Sequence, residues 1–317
     1  MPSTTLSKKE SEMTETYLQP EQQAEPRTAR NNGANGGEAP HTKPDKIRRF
    51  RYLLSKTKFR VPLYWIRHRG LGASDVFFGS YPRSGSTWSR FTLYEVLTGR
   101  EAGFDAVNAT LRGVHRLERG IPVLPAGGRL LGSHEQYRKE YKRAIYLVRD
   151  ARDVVLSEYS YLKAMDFFRG DFDQFVAGFV GAEGRINGFG PWQRHVTSWL
   201  DSPIAGTPNL LLVRFEDLRG DPEQSFERIS NFLGVKTTRE AVQQAVANNS
   251  LKRMREKERD APQLPTDSFV RSGSVQGWRG KLTQAQTDLI ERHAGSVLLR
   301  LGYPLSTASR EPVAVTS

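Results

Sequence analysis

Val76-Phe-Phe-Gly-Ser-Tyr-Pro-Arg-Ser-Gly-Ser-Thr-Trp88 decides the fold of this chain. A short apolar run, Val76 to Phe78, reads as a buried strand that ends at Gly79. A glycine-containing turn follows, and a helix is predicted from Ser86 to Thr98, with Gly99 as its stop. A strand that runs through a tight turn into a helix N-terminus gathers several unpaired backbone N–H groups at one point, where the helix dipole also favours negative charge. Gly85 lets the backbone approach an anion closely. Ser86 and Thr87 add hydroxyl donors, Ser84 is expected among the binding residues of the same loop, and Arg83 brings a permanent charge and a fork of donors that fits phosphate or sulfate oxygens. The loop is not G-x-x-x-x-G-K-[ST]: no Lys follows Gly85, and the cation precedes it. No apolar strand ends on an Asp suited to holding Mg²⁺. A nucleotide-borne anion held by Arg and amides therefore fits better than metal-dependent NTP hydrolysis, with a turn that merely links two elements as the plain alternative.

Working outward, the same strand–turn–helix alternation continues. Arg129 to Leu131, Ala144 to Val148 and Leu210 to Val213 read as buried strands. Asp150 is placed to cap a helix over Ala151 to about Lys163. Asp221-Pro222 opens a helix that Gly234 closes, and a last helix is predicted from about Thr283 to Leu299. The fold class is α/β: a P-loop-like parallel sheet covered by helices on both faces, in a single domain. That domain is expected over residues 71–305. Residues 1–42 are polar, with Asn31-Asn-Gly-Ala-Asn-Gly-Gly37 among them, and are expected to be a disordered tail. Residues 306–317 are expected to be a flexible C-terminal tail.

The charge balance points to anionic partners. The 317-residue chain carries +12, and Lys43 to Gly70 alone holds ten Lys or Arg against one acid, Asp45, which is +9 of that total. The rest is nearly balanced, as in an ordinary enzyme, and gives no reason to expect a nucleic-acid partner. In the basic, partly helical segment 43–70, Ile47, Phe50, Leu53 and Leu54 recur at helical spacing. Two readings stand for it: a solvated helix capping the domain, or a peripheral membrane contact. No apolar run approaches the ~20 residues that span a bilayer. Cysteine is absent, which excludes disulfides, thiolate metal sites and a cysteine nucleophile; no metal site is expected, and a cytoplasmic location is.

Tyr81-Pro-Arg-Ser-Gly-Ser-Thr-Trp88 resembles the Y-P-K-S-G-T-T-W loop of sulfotransferases that use 3′-phosphoadenosine-5′-phosphosulfate (PAPS). Four further segments resemble that cytosolic-type family in the same order. Ile145-Tyr-Leu-Val-Arg-Asp-Ala-Arg-Asp-Val-Val-Leu-Ser157 is similar to its second signature, which implies that Arg149 and Ser157 bind the 3′-phosphate. Gly190-Pro-Trp-Gln-Arg-His-Val-Thr-Ser-Trp199 and Val213-Arg-Phe-Glu-Asp-Leu218 look like family segments, with Phe215 where Tyr is frequent. Phe269-Val-Arg-Ser-Gly-Ser-Val-Gln-Gly-Trp278 is similar to R-K-G-x-x-G-x-W, which implies 3′-phosphate contacts from Arg271, Ser272 and Gly273; Ser272 replaces the Lys and the second Gly is displaced by one position. Trp88 matches the aromatic that packs on adenine. The family's dimer segment, K-x-x-x-T-V-x-x-x-E, is echoed by Arg279, Thr283, Gln284 and Asp288, with Gln284 in place of Val, and no oligomeric state is assigned.

Of six histidines, His41 lies in the tail, His68 in the basic segment, His115 in a charged run without a motif, and His195 and His293 in helical stretches read as structural. His134 follows Arg129-Leu-Leu-Gly-Ser at a strand's carboxyl end, where open parallel sheets bind ligands. It resembles the base of the family's K-T-H segment, with Gly132 and Ser133 replacing Lys and Thr. The resemblance implies in-line displacement at sulfur: His134 takes the proton from an acceptor hydroxyl or amine, and charge builds on the oxygen bridging sulfur to the 5′-phosphate. Arg83, which cannot readily donate a proton, is expected to act there as an electrostatic clamp together with the loop amides and Thr87. The acceptor is expected to be a small aromatic or apolar molecule, from the cluster Phe104, Phe167, Phe168, Phe172, Phe175 and Phe189, although such residues are also plain core. A metal-dependent P-loop kinase and a non-catalytic nucleotide or membrane-surface binder on the same fold are the alternative readings.

Overall fold

The computed structural model describes residues 66, 68–114, 120–181, 186–261 and 273–306. The expected N-terminal tail, all of the expected C-terminal tail but Ser306, His41, His115, Arg271, Ser272 and nearly all of segment 43–70 lie outside the described residues; Ser306 is described, and its N–H donates to Glu291. Four strands are described, all parallel: β1 (Val76–Ser80), β2 (Leu130–Ser133), β3 (Ala144–Val148) and β4 (Leu210–Arg214), in the order β2-β1-β3-β4. In register, Gly79 of β1 stands opposite Ser133 of β2 and Tyr146 of β3. The carboxyl ends of all four strands therefore lie along one edge.

Besides a short 3-10 turn at Pro125–Gly127, ten α-helices are described: α1 (Ser86–Thr98), α2 (Phe104–Thr110), α3 (Ala151–Ala164), α4 (Phe172–Val180), α5 (Trp192–Leu200), α6 (Phe215–Gly220), α7 (Pro222–Leu233), α8 (Arg239–Asn248), α9 (Leu251–Arg259) and α10 (Gln284–Arg300). Alternate strand residues feed two cores, because successive side chains of a strand point to opposite faces. Phe77, Tyr146 and Val148 pack with Val154 of α3, Phe175 of α4, Trp199 of α5 and Ile290 of α10. Val76, Phe78, Ile145 and Leu147 pack with Phe91 of α1, Phe226 of α7 and Val242 of α8. With both faces covered, the central strands read as continuous apolar runs.

The expected helix signals operate as written. Gly99 and Gly234 take left-handed conformations after α1 and α7. Asp150 caps α3 by accepting from the Arg152 N–H at 2.9 Å. Asp221 caps α7 with Pro222 as the first helical residue. Thr283 and Gln286 form a reciprocal capping box, so the last helix starts one residue later than its cap. Two strand boundaries differ from expectation. The second strand runs on to Ser133 rather than ending at Leu131. The run Leu210 to Val213 is an edge strand and not a fully buried one: Leu211 and Val213 are buried on one face, while Leu210, Leu212 and Arg214 are half-buried on the other, which is less completely covered. Helix α4 opens on a capping box of Asp171 with Gln174, ends at Gly181 and packs against α10 and α3; α8 opens with the Thr238 side chain accepting from the Ala241 N–H and packs against α1 and α7.

Candidate active site

The loop between β1 and α1 lies at the carboxyl edge of the sheet. Arg83 and Gly85 both have positive φ, 66° and 97°. Gly85 is the N-cap of α1, and no side chain caps that helix, so its first N–H groups face outward from the loop. A side chain is disfavoured at Gly85 on two counts, its positive φ and a Cβ that would stand 2.5 Å from the Phe215 ring unless the ring shifts. The loop borders a cavity of about 720 Å³.

Arg83, Gly85, Ser86, Thr87, Trp88, His134, Arg149, Ser157 and Gly273 all line this one cavity. Ser84 does not: it is fully buried, and its Oγ has no hydrogen-bond partner. Arg149 comes from the end of β3. Its Nη1 donates to the Arg83 carbonyl at 3.2 Å and its Nη2 to the Ser274 carbonyl at 2.9 Å. The guanidinium lies 4.5 Å over the Phe215 ring. Burial pushes its pKa below the ordinary arginine value, while Asp153, Glu216 and Asp150 pull it back up. Its Nε is buried without a partner, a donor that an anion in the cavity would satisfy. Glu216, from the Phe-Glu-Asp segment, accepts from the Asp150 N–H at 3.1 Å and from the Tyr303 hydroxyl at 2.6 Å. That segment thus holds the β3–α3 corner from which Arg149 projects.

Arg83 turns toward α3: its Nε donates to Ser157 Oγ at 3.2 Å, and its guanidinium lies 4.8 Å over the Tyr161 ring. Asp153, Ser157 and Tyr161 recur every four residues, so one face of α3 forms a wall of the cavity. Trp88 stands at the start of α1 with its ring edge-on to Phe215 and Phe226, and Arg219 lies 5.4 Å over it.

His134 lies one residue beyond β2. Its Nδ1 is 2.9 Å from the Ser80 carbonyl. A carbonyl only accepts, so Nδ1 carries the proton and Nε2 keeps its lone pair. Burial is the main influence that pushes this imidazole below its ordinary value of 6.5; Arg90 and Arg83 add to it, and the Ser80 hydrogen bond and Glu135 oppose it. The ring is therefore neutral near pH 7. Phe189 packs against it at 5.9 Å.

Three of the six expected acceptor-side phenylalanines, Phe167, Phe172 and Phe189, line the cavity. The other three do not. Phe104 packs on Phe91 on the opposite side of the sheet, and Phe168 and Phe175 pack on each other and on Tyr159. No motif in the sequence pointed to Arg219, Lys281, Glu158 or Asn187, which also line the cavity. Glu158 is buried and accepts from Asn187 at 3.0 Å, and burial raises its pKa. Its i+1 position after Ser157 was the available signal.

The sulfotransferase domain family matches residues 130–302, a stretch that starts after the anion loop and includes His134, Arg149 and Ser157. Rat sulfotransferase 1A1 is 26% identical over 245 residues, covering 69% of this chain and 82% of the relative. Human sulfotransferase 2B1 is 29% identical over 245 residues, covering 69% of this chain and 64% of the relative. A retinol dehydratase crystallised with retinol and PAP superposes with a TM-score of 0.61 at 19% identity, over 76% of this chain and 86% of the other, and so shares the fold. With a family match over more than half of its length, and the matched segments converging on one cavity, this chain belongs to the sulfotransferase family.

Proposed function

We propose that the cavity binds PAPS against Arg83, Gly85, Ser86, Thr87, Trp88, Arg149, Ser157 and Gly273, and that His134 is the general base. As a sulfotransferase, the chain moves a sulfuryl group from PAPS to a small acceptor. The observation that carries the site assignment is a neutral imidazole with a free Nε2 in the same cavity as an uncapped helix N-terminus and two arginines.

PAPS supplies the sulfuryl group and a phosphate leaving group. The loop amides, Thr87 and Arg83 hold the anion at the leaving oxygen, where preorganised donors act most strongly. Arg83 is a fixed charge and donates no proton. Arg149 and Ser157 hold the second phosphate, and Arg271 and Ser272, outside the described residues, are proposed to join them. Ser84 contributes its backbone alone. Nε2 of His134 takes the proton from the acceptor hydroxyl or amine as that atom bonds to sulfur and the bond from sulfur to the leaving oxygen breaks. Phe167, Phe172 and Phe189 favour an aromatic or otherwise apolar acceptor. No helix among the described residues is long and apolar enough to cross a membrane; the likeness to a zebrafish cytosolic sulfotransferase supports a cytoplasmic location for this chain.

Calorimetry with adenosine 3′,5′-bisphosphate (3′,5′-ADP), set against ATP with Mg²⁺, tests the donor assignment: tight metal-independent binding of the former is expected, and a preference for ATP with Mg²⁺ would overturn it. His134→Ala is expected to abolish transfer while leaving 3′,5′-ADP affinity within about twofold. Loss of nucleotide binding in that variant contradicts the role of base. A screen of labelled PAPS against phenols, steroids, sugars, lipids and peptides identifies the acceptor.

A further inference from the structure

β2 is an edge strand that ends at Ser133, so the carbonyls of His134 and Glu135 lie past the sheet. Unheld, such peptide units turn, and the imidazole at 134 turns with them. Helix α5 supplies both missing donors. His195 Nε2 is 3.1 Å from the His134 carbonyl, and Trp199 Nε1 donates to the Glu135 carbonyl at 3.0 Å. The two residues are four apart, hence on one helix face, and both are fully buried.

The protonation of this arrangement is fixed by its partners. His195 Nε2 faces a carbonyl and so carries the hydrogen. Its Nδ1, 3.0 Å from the Tyr146 hydroxyl, accepts from it. Burial holds the Tyr146 hydroxyl well above its ordinary value, so it stays a donor at any working pH. Trp199 is stacked on Tyr146 at 4.8 Å, and its ring occupies the place where a side chain at residue 79 would be: a Cβ on Gly79 would stand 2.6 Å from it. The next residue, Ser80, gives the carbonyl that holds His134 Nδ1. A side chain that only filled the core would need neither ring N–H, and an apolar residue of that size would avoid the cost of burying an imidazole.

We infer that His195 and Trp199 are positioning residues for sulfuryl transfer, whose ring N–H groups clip two consecutive carbonyls and so aim His134 Nε2 at the reacting sulfur and acceptor. This rests on the assignment of His134 as base.

The test uses the full chain with labelled PAPS and 2-naphthol as first probe acceptor, or the acceptor returned by the screen. Variants His195→Leu, His195→Gln and Trp199→Phe are compared with His134→Ala for kcat, KM for PAPS, 3′,5′-ADP affinity and melting temperature. His195→Leu and Trp199→Phe are expected to lower kcat roughly ten- to hundredfold, the range for a displacement of about 1 Å, with KM for PAPS and 3′,5′-ADP affinity within about twofold. His195→Gln, whose amide N–H reaches the place of Nε2, is expected to recover most of kcat. Unchanged kcat in His195→Leu, or equal losses in the Leu and Gln variants, overturns the inference. So does a fall in nucleotide affinity that parallels the melting temperature, which marks general loss of structure. If His195→Leu does not fold, Trp199→Phe and His195→Gln decide. An active His134→Ala shows instead that the base assignment has failed and takes the clip down with it; an inactive His134→Ala beside fully active clip variants defeats the clip alone.

Discussion

Replacing Gly85 by alanine strains the donor side through one contact whose size can be worked out. The residue has φ +97°, and an added Cβ would stand 2.5 and 2.7 Å from two carbons of the Phe215 ring. Relaxed carbon contacts lie near 3.5–4.0 Å, so the ring has to retreat by about 1 Å. That ring supports Arg149, whose guanidinium lies 4.5 Å above it. Gly99 is the control: it has φ +65° with nothing within 4 Å. Gly99→Ala carries the left-handed backbone penalty alone, about 1–2 kcal/mol, which for a domain of this size lowers Tm by about 2–4 °C per kcal/mol. Gly85→Ala adds an overpacking cost of about 1–3 kcal/mol and moves Arg149 off its anion. A charged hydrogen bond is worth about 1.5–3 kcal/mol, so 3′,5′-ADP is expected to bind roughly ten- to hundredfold more weakly. Calorimetry and thermal melts of both variants measure this. A folded Gly85→Ala that binds 3′,5′-ADP as Gly99→Ala does would refute the chain of contact from Gly85 through Phe215 to Arg149.

Arg149→Ala is expected to raise KM for PAPS by roughly tenfold or more, with a much smaller change in kcat, in steady-state assays; a pure kcat effect would contradict its place on the donor. The neutral form of His134 is the active one, and its pKa in the ligand-free protein is held below 6.5, so kcat/KM is expected to be level near pH 7 and to fall only as pH drops through that lowered value. An acidic limb centred above 6.5 in the pH–rate profile would remove His134 as its source.

Much of this protein was decided locally. The run Val76 to Trp88 reads as strand, turn and helix because apolar content, Pro82 and Gly85, and the helix that follows each act over a few residues. Likewise Asp150, Asp221 and Gly234 cap their helices with neighbours two to four residues away. Arg149 and His134 were legible because the carboxyl ends of parallel strands point into one crevice wherever such a sheet forms. Tertiary structure decided the rest, since it depends on what meets across long stretches of chain. Which phenylalanines face the cavity is set by the packing of α3 and α4, not by their clustering in sequence. Ser84 belongs to the loop motif yet lies buried behind it. His195 sits on the apolar face of its helix, like an ordinary core residue. Only the fold brings it, 61 residues along the chain, to the carbonyl of His134.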